Sequence, residues 1–116
     1  MSELMKDDDL KAFGVEIIHH MPDDGSGVYI KETRIPSGVK LGMHTHTFTH
    51  KSVLVSGRAN VSTNGDASAI EAPFVLTIKE GDAHEVSAIC DCVWLCIHAT
   101  KECDPEKIDH TLVAHA

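Results

Sequence analysis

Short runs of β-type residues, cut by turn formers every few positions, leave this chain little room for anything but antiparallel sheet. The strongest local signal is Asn64-Gly65-Asp66, because Asn and Gly tolerate the positive φ that a two-residue hairpin turn demands. Pro22-Asp23-Asp24-Gly25-Ser26-Gly27, Pro36-Ser37-Gly38, Ser56-Gly57-Arg58 and Glu80-Gly81-Asp82 punctuate the rest. Between them, strands are expected at Val15–His19, Val28–Ile35, Val39–His46, Ser52–Val55, Ala59–Thr63, Ala69–Ala72, Phe74–Lys79, His84–Ile89 and Val93–His98. Helix is expected only at the ends. Glu3 to Phe13 suits a short one, and Asp104-Pro105-Glu106 reads as an N-cap with proline in the first turn, leading towards His110. Many short strands with close turns imply an all-β sandwich or small barrel.

The chain has 116 residues, 42% of them apolar, which suits one globular core. No linker, repeat or low-complexity tract interrupts it. The formal charge of −8 advertises no phosphate-binding surface, and aromatics at 4% offer no stacking platform for bases, so nucleic acid is not an expected partner. Met1 to Lys11 is polar and acidic, without the apolar core of a signal peptide, and no apolar run is long enough to cross a bilayer. The expected setting is the cytoplasm, with no membrane partner and with Cys90, Cys92, Cys96 and Cys103 reduced.

The compositional oddity is nine histidines. His44-Thr45-His46 places two imidazoles two residues apart, a spacing that sends both to one face of a strand. His50 follows after enough chain for a bend and a return on the neighbouring strand. His84 opens a later strand just beyond Gly81. Such a set offers nitrogen ligands for one divalent transition metal; ordinary solvated histidines are the competing reading.

The segment Gly38-Val39-Lys40-Leu41-Gly42-Met43-His44-Thr45-His46, continued by His50 and then Gly57, resembles the first motif of the cupin superfamily. Gly81-Asp82-Ala83-His84 resembles part of the second. The resemblance implies a small double-stranded β-helix, the cupin or jelly-roll barrel, over residues 14–100. Residues 1–13 are expected to form an N-terminal arm with a short helix, and 101–116 a tail with a helical turn. It further implies that His44, His46, His50 and His84 share a metal inside the barrel. Two departures stand out: His50 replaces the usual glutamate ligand, and Lys79 replaces a proline. An all-imidazole set favours zinc, iron or nickel over manganese, which prefers oxygen.

The chain also resembles small cupin-domain proteins encoded in tailed-phage genomes. Val28-Tyr29-Ile30-Lys31-Glu32, Ser56-Gly57-Arg58, Glu71-Ala72-Pro73, Val93 to Thr100 and the ending Glu102 to Asp109 carry that likeness. It implies an accessory or virion-associated role, with phage structural proteins as partners. The alternative is a metal-dependent small-molecule enzyme of dioxygenase, isomerase or lyase type, and a metal-linked sensor ranks last. A homo-oligomer is expected in each case, because pairing hides edge strands.

Tyr29, Glu32 and Arg34 share an early strand, where parity separates Tyr29 from the other two. Tyr29 is the candidate general acid or base. His98 shares a face with Trp94 and Cys96. It either reaches the cavity or bonds a backbone carbonyl. His19 and His20 point to opposite faces, so at most one is internal. The cysteines lack the Cys-x-x-Cys knuckle, so core packing competes with a second metal site.

Overall fold

The computed structural model describes residues 10–46, 49–99 and 113–114, with side chains described except at 43–46 and 113–114. Among the described residues ten strands follow in order: β1 (Glu16–His20), β2 (Val28–Ile35), β3 (Lys40–His46), β4 (His50–Ser56), β5 (Arg58–Thr63), β6 (Asp66–Glu71), β7 (Phe74–Ile78), β8 (Ala83–Ala88), β9 (Cys92–Ala99) and β10 (Val113–Ala114). One 3-10 turn, Pro22–Asp24, sits in the first loop. The expected strands are all present, with ends moved by up to three residues. Of the expected N-terminal helix, residues 3–9 lie outside the described residues, Leu10 and Lys11 are helical, and residues 12–14 are a turn; the C-terminal helical turn lies wholly outside the described residues.

The strands form two antiparallel sheets, ordered β1-β2-β9-β4-β7 and β10-β3-β8-β5-β6. The sheets pack face to face, as the core shows. Ile35, Leu54, Cys92 and Trp94 come from the first, and Ala59, Val61, Val86 and Ala88 from the second. All eight are alternate residues on their strands, which is how a pleated strand buries one face.

Local chemistry fixes the turns. Asn64 and Gly65 both take positive φ, 51° and 90°, and Thr63 pairs with Asp66 across them, a two-residue hairpin whose twist matches its strands. Gly57 joins β4 to β5 at φ 91°, and a Cβ there would stand 2.3 Å from the Asp91 carbonyl oxygen. Only glycine lets these two chain segments touch.

Two register shifts matter for the interior. On β3, Leu41 pairs with Val86 and His44 with His84, so one extra residue is absorbed between Leu41 and His44. On β4 a similar shift falls between Leu54 and Ser56, against β9. One expectation is corrected here. His50 does not return on a strand beside β3: β4 pairs with β7 and β9, and β3 with β8 and β10, so the two strands belong to opposite sheets. His46 ends a strand of one sheet and His50 opens a strand of the other.

Candidate metal centre

At one end of the barrel the interior turns from apolar to polar. His50 opens β4 and is only 5% exposed; His84 on β8 is 2% exposed; His98 on β9 is 7% exposed. The loop between β7 and β8 ties the first two together. The Glu80 N–H donates to Thr49 Oγ1 at 3.1 Å, one residue before His50. Asp82, two residues before His84, accepts from the Lys79 N–H and from Asn64 Nδ2 at 3.2 and 3.0 Å. Asn64 Oδ1 in turn accepts from the Ala83 N–H at 2.9 Å. The hairpin that the Asn-Gly signal marks therefore also holds the start of β8.

His98 lies one register position beyond the Lys51–Ile97 pair, so it stands beside His50, with ring centroids 4.5 Å apart. It also pairs with Tyr29 on β2, and those rings stack at 6.0 Å. Tyr29 is 1% exposed, and its hydroxyl shares a 2.6 Å hydrogen bond with Nδ1 of His19 on β1. Four rings thus run side by side along the inner face of one sheet: His19, Tyr29, His98 and His50. Beside them Ser52 donates to Cys96 Sγ at 3.6 Å and lies 3.3 Å from His50 Nε2. A hydroxyl has one proton. With that proton on Cys96, His50 donates from Nε2 and carries its lone pair on Nδ1, an atom shielded from solvent.

Burial, with smaller pushes from His50 and Lys31, lowers the His98 imidazole from its ordinary 6.5 to about 4. It is therefore neutral at neutral pH, the form a metal requires. Buried neutral imidazoles are the right donor chemistry for zinc, iron or nickel. Among the described residues, however, no three His, Cys, Asp or Glu side chains stand close enough to hold an ion. The described donors divide between the sheets, His50 and His98 on one and His84 on the other. His44 is the cross-strand partner of His84, and His46 pairs with Val113. The side chains of His44 and His46 lie outside the described set, so a metal centre needs one or both of them to close it.

The other candidates separate by face. Glu32 lies on the outer side, accepting from Arg34 Nε at 2.9 Å and meeting His20 at 3.0 Å, and those two partners lower its carboxyl pKa, His20 foremost. His19 is inside with Tyr29, and His20 is outside. Cys90, Cys92 and Cys96 are not joined in disulfides. Cys92 is a core residue whose single S–H proton has two carbonyls in reach, Arg58 at 3.0 Å and Cys90 at 3.1 Å, and donates to one of them at a time; burial pushes its thiol pKa up. Cys103 lies outside the described residues. Sequence reasoning missed two inward groups, Lys31 and Ser52. Both sit at the right parity, Lys31 between Tyr29 and Thr33, Ser52 between His50 and Leu54; a lysine or serine in a strand is simply read as solvent-facing by default. A pocket of about 280 Å³ lies at the opposite end of the barrel, bordered by Glu16, Arg34, Ser56 and Asp91, away from the histidines.

No family model matches the chain, and no curated protein matches it by sequence. Solved structures do match its fold. A salicylate 1,2-dioxygenase mutant from Pseudoaminobacter salicylatoxidans, in complex with gentisate, superposes with a TM-score of 0.66 at 12% identity, over 74% of this chain and 25% of that one. A cupin 2 domain-containing protein from Halorhodospira halophila gives 0.65 at 16% identity, covering 78% and 66%. A protein described as a predicted oxalate decarboxylase from Thermotoga maritima gives 0.63 at 20% identity, covering 72% and 77%. This chain therefore spans about a quarter of the dioxygenase. At such identities the likeness establishes the fold, an all-β jelly-roll barrel of the cupin type. No helix among the described residues is long and apolar enough to cross a membrane.

Proposed function

We propose that this chain is a small metal-binding protein of the cupin type, holding one divalent transition metal through His44, His46, His50 and His84. The observation that carries this reading is the group of buried imidazoles at one end of the barrel, drawn from both sheets, with His44 at the register position facing His84. Burying several imidazoles costs solvation energy that nothing in core packing returns, whereas a shared cation does return it. Zinc, iron or nickel suits the donors, and the bound ion supplies Lewis acidity or a redox centre. His98, against His50, either joins the set or holds the His50 ring in place.

Elemental analysis of the purified protein tests this. One transition-metal ion per chain is expected, and replacing His44 and His46 together by Ala should abolish it. Unchanged stoichiometry in that double variant overturns the reading. The likeness to small phage-encoded cupins supports an accessory or virion-associated setting and a homo-oligomer; absence of the protein from purified particles removes the virion version.

The interior Tyr29 favours a second reading, a metal-dependent enzyme acting on a small molecule. Its buried phenol, coupled to His19, is placed to exchange a proton with a bound ligand. Tyr29→Phe should then abolish turnover of that molecule with the metal content unchanged, and unchanged turnover removes this reading.

A further inference from the structure

We infer that Cys90 and Cys92 form a peroxide-reactive pair, in which Cys90 is oxidised first and Cys92 closes a disulfide on it. The pair lies at the packed end of the barrel, away from the histidines, and is independent of the proposed metal.

The two sulfurs are gathered by one residue of a third strand. Cys90-Asp91-Cys92 carries the chain from β8 into β9, from one sheet to the other. Both side chains turn to Arg58, the first residue of β5. Cys90 Sγ accepts the Arg58 N–H at 3.2 Å, and Cys92 Sγ stands 3.0 Å from the Arg58 carbonyl oxygen. Cys92 Sγ is also 3.1 Å from the Cys90 carbonyl oxygen, folded back towards the residue that supplies the second sulfur. Burial first, and then the charge that a Cys90 thiolate carries, raise the Cys92 thiol pKa, so the two groups are within electrostatic reach. Residues two apart have Cα atoms at most about 7 Å from each other, a span that a disulfide can bridge. Gly57 leaves the room, since a Cβ there would stand 2.9 Å from Cys92 Sγ.

The surroundings of the two thiols divide the roles. Cys90 is half-buried, on a bend between exposed Ile89 and exposed Asp91. Its sulfur is an acceptor in the fold, so loss of its proton leaves that bond intact. Cys92 is 2% exposed and keeps its proton on a carbonyl. An incoming oxidant therefore meets Cys90 first, with Cys92 beside it as the resolving thiol.

The oxidant is hydrogen peroxide. The Cys90 thiolate attacks one peroxide oxygen; the S–O bond forms, the O–O bond breaks, and the departing hydroxide takes up the proton that Cys90 gave up. Cys90 is now a sulfenic acid, oxidised by two electrons. The Cys92 sulfur then attacks the Cys90 sulfur; the S–S bond forms, the S–O bond breaks, and the sulfenic hydroxyl leaves as water with the Cys92 proton. Two thiols and one peroxide give one disulfide and two waters. The bridge withdraws the Cys92 proton from the Arg58 carbonyl, which still accepts the Ile89 N–H at 2.9 Å, so oxidation strands no acceptor there.

The experiment takes the full chain as purified, reduces it, removes the reductant and adds hydrogen peroxide. Remaining thiols are labelled with N-ethylmaleimide in denaturant and located by peptide mass spectrometry. Of the four cysteines in the chain, Cys96 and Cys103 should carry the label and Cys90 and Cys92 should not, their peptide being lighter by two hydrogen atoms. Dithiothreitol should restore both labels. In Cys92→Ser, Cys90 should stop at the sulfenic acid and be captured by dimedone. In Cys90→Ser, Cys92 should lose its label at least about tenfold more slowly. The His44→Ala, His46→Ala double variant should form the bridge at the wild-type rate. Labels kept on both Cys90 and Cys92, a bridge to Cys96 or Cys103, or an unchanged rate at Cys92 in Cys90→Ser overturns the proposal. A bridge lost in the histidine double variant also overturns it, because a bound metal then carries the oxidation and the metal reading alone stands.

Discussion

Along β9 the inward positions run Cys92, Trp94, Cys96, His98, and along β4 in the same direction they run Leu54, Ser52, His50. Both strands pass from an apolar end to a polar one within four to six residues. At the first end, Trp94 and Leu54 close against Val61, Val86 and Ala88 of the facing sheet. At the second, imidazoles, a phenol and hydroxyls take the same inward positions. One end is packed as cores are packed, by shape. The other keeps polar groups in the interior, where they cost stability unless they bind something. The same strands therefore serve as scaffold at one end and as site at the other.

The contrast is broken most severely at the packed end. Trp94 is 2% exposed, and Trp94→Ala should destabilise the protein by about 4 kcal/mol, seen as a fall in the urea midpoint, through lost burial and the cavity left behind. An unchanged midpoint would show that this end is not the core. The polar end should respond to acid instead. In metal-free protein, folded His98 resists protonation down to about 4, while the unfolded chain takes up that proton near 6.5. The unfolded state thus binds more protons in this window. Stability should be full above about pH 6.5, fall as the pH drops, and level off below about 4, a loss on the order of 3 kcal/mol. His98→Gln should flatten that slope between pH 7 and pH 4.5; an equal slope in the variant would refute the assignment. The smallest effect is expected at the boundary between the ends. Ser52 is fully buried, and Ser52→Ala should cost about 1 kcal/mol by withdrawing the hydroxyl from His50 and Cys96, with the metal content unchanged.

The packed end was the more legible in sequence. Alternation at Ile35, Leu54, Val61, Val86 and Trp94 announces inward residues directly, and the Asn64-Gly65 turn sets one hairpin without help from the rest of the chain. Gly38, Gly57 and Gly81, which carry the cupin resemblance, all take positive φ. What stayed hidden is nonlocal. That β3 and β4 belong to opposite sheets depends on partners some 40 residues away, β8 and β9. His98 could be read two ways until its register against Tyr29 and the β4–β9 pairing set it beside His50. Lys31 was hidden by its chemistry, since a charged side chain at an inward position is the exception to the rule that reads strands.

The irregularity in β3 has a consequence for how this strand can vary. Upstream, Leu41 faces Val86 in the packed end; downstream, His44 faces His84 in the polar end. With uninterrupted pairing, Met43 would fall opposite His84, and the histidines would keep step with the wrong neighbours. The spare residue at the joint makes β3 two half-strands in series, each with its own phase. Changes in one half need not be transmitted to the other, so the packed end and the polar end of this strand can be altered independently.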